Sequence, residues 1–495
     1  MELKIKILNL DTGVPVAILD DYTACLLGAK AKGRILIEFG SNKSQRLSAI
    51  VDVAKTMVGK KELGISSELQ KRLSLKNGQK VKVSLSPFPQ SLPYIHKKVN
   101  GGALSQKEVN LIIKEVIDNS LSEIEISMFI SGMYKKGMNM QEIIYLINAI
   151  LNSGKKLHFK GKYIVDKHCI GGIPGNRTTP LVVSICAAGG LIVPKSSSRA
   201  ITSAAGTADT VETIAEVNFS IAELKKIVEK TGACLIWGGS LEIVPADEKI
   251  ISIEKMLSID PEAQMLASIM SKKLALGAKY ILIDIPYGKN AKVDRKKALH
   301  LKNKFEYLGR HFNKTLKVVL TKGDEPIGNG IGPALEMVDI IRILNREEIR
   351  PLDLEKKALF LAGELFEMTG KAKRGKGIEL ARQILESGKA FTKFKEIIKA
   401  QKGNINRIKF AKFKKDVLIQ KKGRIISIDN KKINSLARIC GCPADKFAGL
   451  YLYKHVGEEL ERGEKIITIY SESKSRIKEA VSFFNEQNPI KVQNN

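Results

Sequence analysis

The rhythm of apolar and polar positions changes repeatedly along the chain. Up to about Leu85, short apolar-rich runs alternate with turns. Ile35-Leu36-Ile37-Glu38-Phe39 and Lys80-Val81-Lys82-Val83-Ser84-Leu85 read as strands, and Asn77-Gly78 marks a turn. This predicts a small β-rich domain over 1–86, followed by a linker at Pro87, Pro89 and Pro93. From Ser105 the spacing becomes helical. Glu108 to Ile117 carries apolar residues at helical intervals, Ser122 with Glu125 has the form of a capped helix start, and Met140 to Leu151 is a further helix. From about Gly161 strands and helices alternate, which favours a largely parallel sheet. The elements read there are a helix over Ile221–Thr231, a strand over Ala233–Trp237, a helix over Pro261–Leu276 and a strand over Tyr280–Asp284. The turn Gly328-Asn329-Gly330-Ile331-Gly332-Pro333 then precedes another helix. From about Lys402 the pattern is β-rich and basic, with a strand over Lys465–Tyr470 and a frayed end from Asn485. No internal repeat is visible.

Two stretches have the layout of an anion site. In the first, an apolar run (Tyr163-Ile164-Val165) leads into Asp166-Lys167-His168-Cys169-Ile170-Gly171-Gly172-Ile173-Pro174-Gly175-Asn176-Arg177, and an apolar helical pattern runs from Leu181 to Ala188. Glycines let backbone approach a phosphate, and a helix start supplies unpaired N–H groups. Thr179 can cap that helix and Pro180 suits its first turn. In the second stretch, a strand at Leu191-Ile192-Val193 leads into Pro194-Lys195-Ser196-Ser197-Ser198-Arg199-Ala200-Ile201-Thr202-Ser203-Ala204-Ala205-Gly206-Thr207-Ala208-Asp209, with Asp209 and Glu212 as a capping box. Each stretch alone is equally a tight turn or a polar loop with solvated charges. Two in succession after consecutive strands point to neighbouring strand ends, where open α/β sheets bind ligands, and to a phosphate-containing substrate.

A third feature is a polar stripe. Asp260, Gln264, Ser268 and Lys272 are each four apart and share one face of a helix, opposite Leu266, Ile269, Met270 and Leu274. A carboxylate, an amide, a hydroxyl and an ammonium in line could read a heterocyclic base. Asp260-Pro261-Glu262 is equally an ordinary helix cap.

Composition changes this picture little. The chain has 495 residues, a formal charge of +30 and a pI near 9.7. Such a balance suits nucleic-acid binding or a lysine-rich surface on a protein with an anionic substrate. The second is preferred, because lysines are scattered through every segment and aromatics are only 6%. The most concentrated basic stretch, Lys393 to Lys415, reads as a solvated face. The six cysteines show no Cys-x-x-Cys spacing, so reduced thiols and a cytoplasmic location are expected, with no metal site. The start lacks the apolar core of a signal peptide, and the longest apolar stretch, Leu181 to Val193, is too short for a membrane span.

These residues resemble the class II nucleoside phosphorylase family and, within it, the AMP branch. The resemblance is carried by Asp166-Lys167-His168 with Gly171-Gly172, by Pro174-Gly175-Asn176 and by Ser197 through Asp209. It is carried further by Val244-Pro245-Ala246-Asp247, Gln264 through Met270, Gly328 through Glu336, and Tyr451-Leu452-Tyr453-Lys454 with Gly463-Glu464. It covers nearly the whole chain. It implies an α/β multidomain protein in which a helical subdomain (87–160, completed by about 245–277) and an α/β domain with a mixed sheet (161–245 and 278–400) flank a cleft. A small N-terminal β-rich domain (1–86) and a C-terminal α+β domain (401–495) complete it.

The implied activity is phosphorolysis of a nucleoside 5′-monophosphate: AMP and phosphate give adenine and ribose 1,5-bisphosphate, with CMP and UMP as further substrates. Carried over residue by residue, the nucleotide would touch Gly172, Ser198, Arg199, Ala200, Ile201, Thr202, Ser203, Thr207, Ser268 and Lys292. Asp260 would be the proton donor, and Lys167, His168, Thr179 and Ser197 would cradle phosphate. No cofactor or metal is implied beyond phosphate as co-substrate, because lysines and helix starts neutralise the anions. A homodimer or larger homo-oligomer is expected, with no membrane and no specific nucleic acid. Lys292, Arg199 and Lys195 are candidates to grip the 5′-phosphate.

Two departures stand out. Cys169 replaces a serine that touches phosphate in the family, and Ile253 falls where thymidine phosphorylases keep a base-reading arginine. Cys169 is expected to be a neutral thiol that packs, with a thiolate favoured by Lys167 and His168 as the alternative. Rival readings are thymidine phosphorolysis, phosphoribosyl transfer (which would need an acidic magnesium site near Asp209 or Asp247) and a nucleic-acid-binding protein.

Overall fold

In the computed structural model, which describes residues 1–40, 45–200, 203–241, 243–420 and 422–493, the alternating runs of the first 85 residues close into a barrel. Its strands are β1 (Glu2–Ile7), β2 (Val16–Leu19), β3 (Arg34–Phe39), β4 (Gln45–Val53), β5 (Glu62–Ile65) and β6 (Lys80–Leu85), in the order β1-β5-β2-β4-β3-β6. Alternation turns Ile35, Ile37, Val51, Leu63 and Val83 into the barrel, where each is fully buried. β1 pairs with β5, and β2 with β4, in parallel; the remaining pairs are antiparallel.

The barrel belongs to a compact unit formed by Met1–Gly154 and Val244–Ser268. Its helices start where side chains can satisfy the first backbone N–H groups. Ser105 with Glu108, Ser122 with Glu125 and Asn139 with Glu142 make reciprocal capping boxes for Gln106–Ile117, Glu123–Lys136 and Met140–Asn152. Pro93, expected in a linker, instead lies in the first turn of the helix Leu92–Val99, where its missing N–H costs no hydrogen bond. Lys98 of that helix is buried and pairs with Glu142 at 2.6 Å; Glu142 also accepts from the Leu104 N–H.

The second unit comprises Lys155–Ile243 and Ile269–Asn495. Strands β7 (Val165–Cys169), β10 (Tyr280–Tyr287) and β11 (Thr315–Lys322) form a parallel sheet in the order β11-β10-β7. A parallel bridge between Ile164 and Ile192 leads on to β8 (Val193–Ser197), which pairs in parallel with β9 (Ala233–Trp237). The helix Thr178–Ala188 is apolar nearly all round and packs in the core with Leu361, Leu365 and Phe366. The C-terminal region forms two antiparallel sheets; Gly330–Ile331 crosses from the α/β segment to pair with Gly449–Leu452. The expected fraying from Asn485 does not occur. The helix Lys474–Gln487 runs past it, and Ile490–Gln493 pairs with the strand Gly423–Ile428, burying Ile490.

The unit boundary falls inside the helix Glu262–Ala275, whereas the sequence carries the helical domain to about 277. Its last turns belong to the α/β unit because Lys273 pairs with Asp166 of β7 and the Ala275 carbonyl accepts from Leu157.

Replacing Lys98 with methionine is expected to strand a buried carboxylate. A loss of about 3–5 kcal/mol is anticipated for this unit, read as an earlier first transition in urea unfolding followed by circular dichroism. An unmoved transition would show that Glu142 is satisfied without the lysine.

Candidate active site

The ends of β7 and β8 are polar yet buried. The sequence places these strands at 163–165 and 191–193, with loops starting at Asp166 and Pro194. The structure moves both strands toward the C-terminus, so that Asp166, Lys167, Lys195 and Ser197 lie on strands. The physical reason is mutual neutralisation. Asp166 accepts from Lys195 Nζ at 3.0 Å through Oδ1 and faces Lys273 Nζ at 2.8 Å through Oδ2. Lys167 Nζ donates to Thr178 Oγ1 at 2.5 Å. On β10, Asp284 pairs with Lys357 at 3.1 Å and accepts from Thr321 Oγ1 at 2.7 Å.

All six ionisable groups are buried. Four ammoniums (Lys167, Lys195, Lys273, Lys357) against two carboxylates (Asp166, Asp284) leave a formal excess of two positive charges. Burial therefore drives Lys167 down to about 8, against the pull of Asp284. It pushes Lys273 downward as well, although Asp166 opposes it. Burial and then the flanking lysines, Lys273 first, hold His168 well below its usual range, so its imidazole is neutral. For Asp284, burial pushes upward, but Lys357 and Lys167 prevail and keep it below the ordinary carboxylate range.

The first glycine turn leaves β7 at Ile170. Gly172 has φ +94°, and a Cβ there would stand 2.8 Å from Lys292 Cβ, so this glycine lets the turn lie against Lys292. Thr179 is not the helix cap. Arg177 holds that position, and Thr179 is the second residue of Thr178–Ala188, among the first backbone N–H groups. Cys169 is half-buried and accepts from Asn176 Nδ2 at 3.5 Å. Burial and Asp284 push its thiol up, so it is neutral, as expected, and the thiolate alternative fails.

In the second loop Gly206, not Asp209, caps the helix Thr207–Val211. Asp209 sits in its first turn and accepts from the N–H groups of Gly206 at 2.9 Å and Ala200 at 2.7 Å. A Cβ on Gly206 would stand 2.5 Å from the Arg199 carbonyl carbon, so the glycine permits residues Ser198 to Ala200 to fold back on this helix. Arg199 is bidentate to Glu212, with both bonds at 2.7 Å, also meets Asp209 at 3.2 Å, and lies over the Trp237 ring. Its charge is thereby met by two carboxylates, and Lys195, the other strand-side candidate for the 5′-phosphate, meets Asp166. Ser197 is on β8 with its hydroxyl buried and without a hydrogen-bond partner among the described residues. Ser203 donates to the Ala205 carbonyl. Ile201 and Thr202 lie outside the described residues.

Asp260 and Ser268 belong to the other unit. Asp260 is exposed, two residues before the helix Glu262–Ala275. The next two members of the stripe share one carboxylate: Gln264 Nε2 and Ser268 Oγ both donate to Asp247, each at 2.9 Å.

Comparison with known proteins bears on this geometry. Family models match residues 92–154 (glycosyl transferase family, helical bundle domain), 161–391 (glycosyl transferase family, a/b domain) and 425–491 (pyrimidine nucleoside phosphorylase C-terminal domain). AMP phosphorylase of Thermococcus kodakarensis is 41% identical over 100% of this chain and 98% of its own length. The chain belongs to the AMP phosphorylase family.

AMP phosphorylases are thus its kin along the full length, and it is a pentosyl-transferring enzyme. A provisionally named thymidine phosphorylase of Legionella pneumophila (strain Corby) is also similar, 40% identical over 94% of this chain and 89% of that protein. Anthranilate phosphoribosyltransferase from Thermus thermophilus shares the fold, with a TM-score of 0.52, 19% identity, and coverage of 62% of this chain and 99% of the other.

Sequence reasoning missed Lys273, Asp284, Lys357, Thr178 and Asp247 as parts of this machinery. Lys273 carries a faint signal as the neighbour of the polar stripe. Lys357 carries none, since its helix, Leu352–Met368, reads as ordinary core.

Two outcomes follow. Anion binding favours the ammonium form of Lys167, whose proton leaves near pH 8. Sulfate stays a dianion throughout. Its inhibition constant against phosphate is expected to rise above pH 8, by up to about tenfold per pH unit; a flat profile would exclude Lys167 from the anion site. Cys169→Ser is expected to keep or tighten the KM for phosphate, since a neutral thiol is the weaker donor. A large rise in that KM would reveal a role for the sulfur.

Proposed function

We propose that the chain cleaves AMP with inorganic phosphate, releasing adenine and ribose 1,5-bisphosphate. The observation that carries this reading is the buried excess of two positive charges at neighbouring parallel strand ends, which one hydrogen phosphate dianion would balance. The full-length AMP phosphorylase relatives support the same substrate.

In this reading Lys167, His168, Thr179 and Ser197 hold phosphate, the neutral imidazole and the hydroxyls donating hydrogen bonds. The C1′–N9 bond breaks with its electron pair leaving on adenine. Positive charge develops on the ribose and is stabilised by the adjacent dianion, one of whose oxygens then bonds to C1′. Asp260 delivers a proton to a ring nitrogen of the leaving base. The nucleotide is held by Gly172, the loop Ser198 to Ser203, Thr207 and Ser268. Lys292, Arg199 and Lys195 are the candidates for the 5′-phosphate; Arg199 and Lys195 also meet carboxylates, and Lys292 Nζ donates to the Ile170 carbonyl. CMP and UMP as further substrates, service in nucleotide salvage, a cytoplasmic setting and a homodimer or larger assembly belong to the same proposal.

Thymidine phosphorolysis is the second reading, favoured by the Legionella relative. Against it, Ile253 is a buried aliphatic residue at the position where such enzymes place an arginine.

The deciding measurement is phosphate-dependent base release from AMP, CMP, UMP, adenosine and thymidine. Adenine from AMP is expected to dominate; release from thymidine alone would transfer the case to the second reading. Asp260→Asn is expected to lower kcat by roughly 10²–10⁴ with the KM for AMP little changed. A mutant at full rate would return Asp260 to a capping role.

A further inference from the structure

We propose that Asp247 is a positioning residue for base specificity: it takes the one proton of the Ser268 hydroxyl, so that Ser268 can offer only lone pairs to the base. This rests on the reading above, in which Ser268 faces the nucleobase.

Asp247 lies in the first turn of the helix Pro245–Leu257, and its side chain is fully buried. Oδ1 accepts from Gln264 Nε2 at 2.9 Å, and Oδ2 accepts from Ser268 Oγ at 2.9 Å. A serine hydroxyl carries one proton and two acceptor lone pairs, whereas an ionised carboxylate only accepts. The proton of Ser268 is therefore committed to Oδ2. Gln264 is itself fully buried, and its amide holds the other carboxylate oxygen. The carboxylate is thus braced from one side and directed at Ser268 from the other. Gln264 is a brace in this arrangement and not a base reader.

An acceptor-only hydroxyl matches an N–H on the base, such as the exocyclic amine of adenine or cytosine. It repels a bare ring nitrogen, because two lone pairs would meet with no proton between them. A purely structural clamp would make a different prediction. Loosening it would slow all nucleotides alike and leave their ratio unchanged.

The test compares kcat/KM for AMP with that for purine riboside 5′-monophosphate, which has hydrogen in place of the amino group. It uses the wild type, Ser268→Ala, Asp247→Asn and the double variant Asp247→Leu/Gln264→Leu. The wild type is expected to prefer AMP by roughly tenfold or more, and Ser268→Ala to cancel that preference. Asp247→Asn is expected to keep it, since the carboxamide oxygen can take the Ser268 proton while its amide meets Gln264 Oε1. The double variant removes both buried partners together, which is the least disruptive way to free the hydroxyl. There the preference is expected to fall by about tenfold, because the analogue gains a donor to its ring nitrogen.

A double variant that retains the wild-type ratio overturns the proposal, as does Ser268→Ala with its preference intact. A wild type that frees no base from AMP would sink the underlying function instead, a result of a different kind. Should the double variant not fold, competition by free adenine and free purine against AMP in the wild type decides. Adenine is expected to bind at least about tenfold tighter, and equal competition overturns the proposal.

Discussion

Burying more positive than negative charge is the constraint on which this structure turns. An isolated ammonium in a protein interior is strongly disfavoured, and pairing it with a carboxylate restores only part of the lost hydration. Parallel pairing sets β7 beside β10, the Ile164–Ile192 bridge leads on to β8, and these strands set Asp166 and Asp284 among Lys167, Lys195, Lys273 and Lys357. The arrangement relieves its excess by loosening protons from Lys167 and Lys273; in the proposed reading, a dianion relieves it with the protons in place.

The other carboxylates of the α/β unit decide which cations remain unbalanced. Glu212 and Asp209 close off Arg199; Glu336 closes off Arg177, which also donates to the Ala205 carbonyl. Asp209 gathers the N–H groups of Ala200 and Gly206, and Asp339 gathers those of Asn329 and Gly330. These acids organise loops and cancel arginines. The surplus is left on the buried lysines around Asp166 and Asp284. The chain-wide charge of +30 says little about this, because it is spread over the surface while the site depends on six buried groups.

Legibility in the sequence followed the physics of each element. Three helices of the first unit, Gln106–Ile117, Glu123–Lys136 and Met140–Asn152, were readable because their starts carry local signals, Ser105, Ser122 and Asn139 with an acid three residues on; Leu92–Val99, hidden behind its proline, and Pro245–Leu257 were not. The strands β7 and β8 were misplaced because strands are recognised by apolar alternation, and these end in Asp, Lys and Ser that are buried through one another. Nothing local announces that Lys195 will meet Asp166, twenty-nine residues away. The parallel pairs inside the barrel were equally silent, since a strand carries no mark of its partner. The C-terminal end looked frayed on composition, but Ile490 had a core to enter.

The polar stripe on Glu262–Ala275 shows the limit most clearly. Helical periodicity correctly put Gln264 and Ser268 on one face, and the chemistry of that face suggested a ligand. What the face meets is a carboxylate from another helix. The identity of that partner matters more than its position. A hydroxyl or an amide at residue 247 could fill the same space, but either can both donate and accept, so the direction of each hydrogen bond would stay open. A carboxylate can only accept. It therefore fixes the direction of both bonds.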